Sequence, residues 1–488
     1  MAQIDYNEIS NTKVPGCDCE IDNSLASAGL SGKPSVGLLI GQALDGTLGK
    51  NTLSGVISDA DQLIALAGEG SELHRMAKAW KEKNTANKLY VIAPDQSEGV
   101  AAVYKLTLTA EDVKAGMVNL MIAGREVRLT VNEGDEVADI TAALIEKINA
   151  NKQIPVTAAE VSDKPAELTL TAKHKGEAGN YIDIRFDYYE GEETAAGVKA
   201  SVTQETKGSG NVSLAATIAA IGDGYFTDIV TSYTDAANVR LLKTELSRRY
   251  NAMVCNESVV YYTLKGTLNE MLTGVDGVNH QCVSPIMDYK SPNMPEERAA
   301  RFAAIAAYEF QKDPARQLGT LVLDGDLPAK EELTADERNM LLEAGISTLV
   351  TNASEQTAIE REVTSYRYND RGVANDSYFD LPTVKTLIYL RYSYRDRILN
   401  KYGRYKLADD GYDVQPGQAI VTPSILTAEV IALAEDWQAA GLVEDISAFK
   451  ESIISMIDSS DKNRVNQLFQ PNIMNNLRLV AGKLQYIS

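Results

Sequence analysis

Two short apolar runs constrain this chain more than anything else in it: Val36-Gly37-Leu38-Leu39-Ile40, and Leu89-Tyr90-Val91-Ile92-Ala93. Runs of this length without alternation read as strands buried on both faces, the kind found in parallel sheets. Between them, Ser58–Leu66 and Ser71–Trp80 read as helices, the second amphipathic with Ser71 as its N-cap. Strand, helix, strand in that order requires a crossover, hence a parallel pair in an α/β layer.

At about residue 101 the period changes from helical to alternating. Tyr104–Thr109, Met117–Ile122, Glu126–Val131, Val156–Val161, Glu167–Ala172, Ile182–Tyr188 and Val198–Thr203 read as strands around one helix, Asp135–Asn149. The stretch ends in the flexible sequence Lys207-Gly208-Ser209-Gly210. Helix–strand alternation then returns: helices at Val212–Ala220, Asp235–Tyr250 and the Ala-rich Glu296–Phe310, strands at Phe226–Thr231, Val259–Thr263 and Ile346–Val350. Thr334-x-x-Glu337 is a capping box for a helix closing near Gly345.

The predicted fold is therefore an α/β core, a sheet with helices on both faces, in two parts (25–100 and 210–354) split by an inserted β-rich α+β domain at 101–209. A C-terminal inner α+β domain follows at 355–470, with helices over Thr383–Lys401, Ala428–Ala440 and Phe449–Ile457. The two ends, 1–24 and 471–488, read as extended strand-like arms. Ile4, Tyr6 and Ile9 at one end, and Leu477, Leu479, Leu484 and Ile487 at the other, are strand-like with no following or preceding strand to pair with. Strand addition to another subunit would satisfy their backbone groups.

The charge balance, 47 basic against 68 acidic side chains for a net −21, argues against nucleic acid as a main partner, because phosphate binding needs clustered positive potential. It suits a chain that stays soluble at high concentration before assembling. Met1–Tyr6 has no basic segment leading into an apolar one, and no run is long enough to span a bilayer, so neither secretion nor a membrane is expected. With 23 tyrosines against 7 phenylalanines, the composition favours surfaces wet before association and buried after.

Enzyme readings find little support. Gly41-x-x-x-x-Gly46 has P-loop spacing, but Thr47 stands where the lysine belongs. Cys17 and Cys19 have no second pair or nearby histidine for zinc. The three histidines are His74, His174 (in the Lys-rich stretch Lys173–Gly176, read as a turn) and His280. No Gly-x-Ser-x-Gly elbow exists, Ser447-x-x-Lys450 has no companion motif, and a Cys282–His280 pair lacks an orienting third group. No catalytic residue, cofactor or metal is expected, and a hydrolase is a distant alternative.

One segment is strongly basic. Lys385, Arg391, Arg395, Arg397, Lys401, Arg404 and Lys406 are opposed only by Asp396 and interleaved with Tyr389, Tyr392, Tyr394, Tyr402 and Tyr405. Pairing with acids inside the subunit, contact with acidic surfaces of neighbouring subunits or an inner partner, and nucleic-acid binding are the readings open here.

The ordered set of local motifs resembles the tail sheath proteins of Mu-like contractile phages. It comprises Val14-Pro15-Gly16, Leu38-Leu39-Ile40-Gly41-Gln42 and Val91-Ile92-Ala93-Pro94 near the start. Ala344-Gly345-Ile346, Ile359–Tyr366, Asp376-Ser377-Tyr378 with Asp380-Leu381, and Tyr389-Leu390-Arg391 follow. Lys406–Gly411, Val421-Thr422-Pro423, Gly441–Asp445 and Asp461-x-Asn463-Arg464-x-Asn466 complete it. The resemblance implies a subtilisin-like core fold without a triad and a homo-oligomer of hexameric rings stacked into a helical sheath around an inner tail tube. It further implies contraction that drives the tube through the host envelope, baseplate and tail terminator proteins as further partners, and residence in the virion tail after assembly in the host cytoplasm. Terminal arms of one subunit would complete a small sheet in its neighbours. The sheath of a phage-tail-like bacteriocin or related injection machine is the alternative, and the insert is expected on the outside, where a polymer has room.

Overall fold

A computed structural model describes residues 32–96 and 98–487; Ile4, Tyr6, Ile9, Cys17 and Cys19 lie outside the described residues. Packing divides the chain into two compact units. Among the described residues, one comprises 34–388 and 475–487, the other 32–33 and 389–474.

The larger unit begins with β1 (Val36–Ile40), α1 (Gln62–Ala67), α2 (Glu72–Lys81) and β2 (Lys88–Ile92). Next come β3 (Ala101–Ala110), β4 (Gly116–Ile122), β5 (Arg125–Val131), α3 (Val137–Ala150), β6 (Val156–Val161), β7 (Lys164–Lys175), β8 (Ile184–Phe186) and β9 (Val198–Thr206). Then follow α4 (Ala215–Ile221), β10 (Asp228–Thr231), α5 (Ala236–Tyr250), β11 (Val259–Lys265), α6 (Leu268–Gly274), β12 (Val283–Asp288), α7 (Pro295–Lys312), α8 (Ala335–Glu343), β13 (Thr348–Thr351) and β14 (Thr357–Arg361).

Five strands form an all-parallel sheet in the order β12-β11-β10-β1-β2. β1 lies between β2 and β10, with Gly37 opposite both Leu89 and Asp228. The chain thus leaves the sheet at the edge strand β2 and rejoins it at β10. β1 and β12 are buried along their whole length, β1 as the continuous apolar strand that a covered sheet calls for, β12 with Ser284 and Asp288 among its buried residues. Gly37 is required on β1: a Cβ there would lie 2.6 Å from the indole of Trp80.

Residues 101–206 have their own core. Four strands pair antiparallel as β6-β7-β3-β9 and three as β5-β4-β8. The alternation read from the sequence is a real face: Leu106 and Leu108 of β3 and Leu168 and Leu170 of β7 are buried together with Leu144 and Ile148 of α3. The turn expected at His174 is instead the end of β7, and the side chain is buried.

α7 is buried on nearly every side, from Pro295 to Ala307, although it carries Glu296, Glu297, Arg298 and Arg301. Six alanines between Ala299 and Ala307 keep it slim enough to pack closely against α2, β10 and β11. α8 starts at the expected capping box, with Thr334 and Glu337 bonded reciprocally. It stops at Gly345, whose φ of +82° excludes most other residues and whose absent Cβ leaves room for Ser365 Cα.

The smaller unit takes in α9 (Leu381–Tyr402) from Tyr389 onward, β15 (Lys406–Leu407), β16 (Ile420–Val421), α10 (Pro423–Ala439) and β17 (Val443–Glu444). α11 (Ile446–Ser452), β18 (Ile454–Ile457), β19 (Val465–Leu468) and β20 (Asn472–Ile473) complete it. Its centre is Trp437, wholly buried, donating from Nε1 to Ser393 Oγ at 2.9 Å and meeting Phe449 edge-on. The helix expected over Phe449–Ile457 is replaced by two elements. The helix ends at Ser452, and Ile453, Ile454 and Ile457 go extended, because β-branched side chains lose rotamer freedom in a helix and pack well on a strand.

Candidate functional site

The residues that could have carried catalysis are structural. His280 Nδ1 accepts from the Cys282 backbone N–H at 3.0 Å, so the ring proton sits on Nε2, which donates to Ser247 Oγ at 3.0 Å. A histidine in that tautomer cannot take a proton from Ser247, and Cys282 is fully buried. Burial, with Lys243 nearby, lowers the His280 pKa to about 4 and keeps the ring neutral. In the loop from Gly41, the backbone N–H groups of Leu44, Thr47 and Leu48 are spent on the carbonyls of Ala67, Ala65 and Leu66 and are not available to cradle a phosphate. His174 Nε2 accepts from the Glu72 N–H at 2.9 Å, and Lys450 pairs with Glu435 at 2.8 Å.

Among the described residues, the surfaces that stand open are strand edges and an apolar arm. Residues 475–487 form neither helix nor strand. Leu477, Leu479, Leu484 and Ile487 are between 72% and 101% exposed, and Val480 and Tyr486, which the sequence reading passed over, are exposed with them. Six large apolar side chains in eleven residues facing water is the mark of a segment that buries itself elsewhere. Its root is held to the larger unit by Asn476 and Arg478.

In the smaller unit, β18 and β19 form an antiparallel pair, Ile454 opposite Leu468 and Ile457 opposite Val465, with no third strand among the described residues. Ile454, Met456 and Leu468 are about half exposed on it. The connecting turn is fixed by Asp458, whose carboxylate accepts from Ser460 Oγ, Asn466 Nδ2 and the N–H groups of Ser460 and Asp461. Those bonds, the Ser460 hydroxyl foremost, hold its pKa well below the usual carboxylate range. Sequence reasoning missed this hairpin, though Asp458-Ser459-Ser460-Asp461 between two extended runs is a turn signal. Asp458→Ala is expected to speed hydrogen exchange of the β18 and β19 amides severalfold while leaving α10 protected; unchanged exchange at Ser455 and Gln467 would remove the turn's role.

The basic segment is divided in its fate. Arg397 pairs with Glu429 at 3.1 Å and with Asp436, Lys401 pairs with Glu429, and Tyr402 donates to Glu429 at 2.8 Å. Burial pushes the Glu429 carboxyl up, but the bonds from Lys401, Tyr402 and Arg397 outweigh it and leave it below its ordinary value. Arg397 and Lys401 thus have acidic partners within the chain. Arg391 and Arg395 are also engaged, while Arg404 and Lys406 are exposed.

Known proteins are similar to this chain over most of its length. Residues 207–365 match the phage tail sheath protein central domain and residues 373–486 the phage tail sheath C-terminal domain. A Mu-like prophage FluMu tail sheath protein of Haemophilus influenzae is 35% identical over 488 residues, 99% of either chain. Among solved structures, a chain of the anti-feeding prophage baseplate superposes with a TM-score of 0.50 at 9% identity, covering 98% of this chain and all of that one. The sheath tail protein of Desulfitobacterium hafniense gives 0.49 at 13% identity, covering 94% and 100%.

Proposed function

This chain belongs to the phage tail sheath protein family and is a structural subunit rather than an enzyme, and from that premise we propose that it polymerises helically around an inner tail tube, as stacked hexameric rings, and contracts to drive the tube through the host envelope. The polymer ends on a baseplate and a tail terminator, and the subunit passes from the host cytoplasm to the virion tail on assembly. One observation carries this reading: an arm with six exposed apolar side chains coexists with a two-stranded sheet that has no third strand among the described residues. A strand from a second copy laid along β18 or β19 satisfies both. About five backbone hydrogen bonds at roughly 0.5–1.5 kcal/mol each, and burial of Leu479, Leu484 and Ile487 at roughly 1.5–3 kcal/mol each, are of the same order as the cost of ordering the arm, roughly 1–2 kcal/mol per residue. Ile4, Tyr6 and Ile9 serve the same purpose at the other end.

Arms that stay paired while the bodies repack let the mesh change its pitch without losing subunits, which is what two packings of one polymer require. Arg391, Arg395 and Arg404 are the contacts we assign to the tube, with Arg397 and Lys401 setting the surface from within. Residues 101–206 lie ahead of the family's central domain, which starts at residue 207, and we place them on the outer wall of the sheath. The 35% identity to a Mu-like prophage protein favours a phage tail over a bacteriocin.

Deletion of residues 479–488 is the test. A folded monomer that no longer forms striated hollow cylinders by electron microscopy is the expected result; normal cylinders from the truncated chain would refute the arm's role.

A further inference from the structure

The arm is not free from the point where it leaves β20. Between Asn475 and Arg478 it is fastened to its own larger unit. Asn476 Nδ2 donates to the Ala315 carbonyl at 2.6 Å, and the Leu477 carbonyl accepts from Gln317 Nε2 at 3.2 Å. Arg478 turns inward against the exposed apolar residues on either side of it. Its Nη2 donates to Glu362 Oε1 at 2.6 Å and Asp380 Oδ1 at 3.2 Å, and its Nη1 to Gln317 Oε1 at 2.9 Å. The Glu362 side chain is wholly buried and that of Arg478 only 18% exposed. Glu362 follows β14 directly, so its position is set by the strand and not by a loop. From Leu479 to Ile487 the arm makes no hydrogen bond among the described residues.

A buried carboxylate that meets no other cation among the described residues, at the last fastened residue of an otherwise bare arm, has a specific use. We infer that Glu362 is a positioning residue for assembly: by gripping Arg478 it fixes where the arm departs from its own subunit, so that residues 479–488 alone reach the strand edge of a second copy. At about 3.3 Å per extended residue those residues reach roughly 33 Å, and the partner edge must lie within that radius of Arg478. A fixed root also raises the effective concentration of the arm at that edge and lowers the entropy lost on docking. Arginine suits the role better than lysine, because a planar fork serves Glu362, Asp380 and Gln317 at once and a point charge does not.

The inference rests on the arm reading proposed above, and the experiment separates the two. Full-length Glu362→Gln and Arg478→Gln are compared with the parent and with the 479–488 deletion. The readouts are the critical concentration for assembly by sedimentation, hydrogen exchange at residues 476–480 in the monomer, and melting by circular dichroism. Both substitutions are expected to raise the critical concentration about tenfold, the effective-concentration gain lost with the root, and to speed exchange at 476–480, with Arg478→Lys restoring only part of the loss. Critical concentrations within about twofold of the parent, beside a deletion that abolishes assembly, would overturn the role of Glu362 and leave the arm reading intact. Normal assembly by the deletion would overturn both. If the Glu362 variant does not fold, a Gly-Ser-Gly-Ser insertion decides. Placed after Arg478 it is expected to weaken assembly; placed between Met474 and Asn475, ahead of the fastening, it is expected to be tolerated. Equal effects of the two insertions would overturn the inference.

Discussion

Glu297→Ala is expected to destabilise the larger unit by about 3–5 kcal/mol, the range for removing one partner of a buried charge network. The side chain is buried on α7 and is shared by three guanidiniums. Arg75 of α2 donates from Nε at 3.0 Å, Arg125 of β5 donates from Nη2 to both oxygens at 2.8 Å, and Arg301 lies 3.8 Å away. Burial alone would raise the carboxyl; Arg125, Arg75 and Arg301 together overcome it and hold the pKa at about 2. Folding therefore stabilises the ionised form, a contribution fully present above about pH 4.5 and lost as pH falls toward about 2. Alanine leaves cations facing one another in a dry site and cuts a tie between the β3–β9 region and α7. Chemical denaturation of the purified chain measures the loss, and a change below about 1 kcal/mol would show that water or rearranged side chains replace the carboxylate.

Glu72→Gln is expected to act in the opposite sense, and increasingly so as pH rises above about 5. Glu72, at the start of α2, is buried and faces the carboxylate of Glu296, with Oε1 accepting from the Gln42 N–H at 3.3 Å. Burial first and Glu296 second raise its pKa from 4.5 to about 8, with Arg75 offsetting part of the rise. The native state keeps a proton that the unfolded chain releases, so stability falls as pH rises from about 4.5 to about 8 and levels off above that. Each pH unit across that window costs about 1.4 kcal/mol for a group that stays protonated. Glutamine carries no such proton. The variant should match the parent near pH 5 and exceed it by about 3 kcal/mol at pH 8.5, taking two to three units of that slope. Parallel stability curves for the two proteins between pH 5 and 8.5 would place the ionisable group elsewhere.

Much of this architecture is legible in the sequence, and its failures have a common cause. The apolar runs at Val36–Ile40 and Leu89–Ile92, the capping box at Thr334 and Glu337, and the alternation of Leu106, Leu108, Leu168 and Leu170 are local signals, and each reappears as a buried strand or a capped helix. Leu477 to Ile487 read from the sequence as strand-like, whereas the structure leaves them exposed in neither helix nor strand. What escaped depends on residues far apart in the chain. Glu296, Glu297, Arg298 and Arg301 look like the wet face of an Ala-rich helix until Arg75, Arg125, Asp288, Asp326 and Glu82 arrive from other elements. The internal pairing of Arg397 waits on Glu429 and Asp436, 32 and 39 positions on. His174 looks like part of a lysine-rich turn because nothing nearby announces that Glu72 will be its donor. β18 was hidden for a different reason: an isoleucine-rich run next to a helix fits either period until the turn at Asp458 is weighed.

The burial of α7 has a mechanical meaning. A helix enclosed on nearly all sides and bolted by Arg298 to Asp288 and Asp326, by Arg301 to Glu82 and by Glu297 to Arg125 cannot slide or bend without breaking several dry ion pairs at once. Arg125 ties the 101–206 region to that helix through Glu297, so a load on the region reaches α7 through that pair. The work of shortening a tail built from such bodies has to come out of the joints between them.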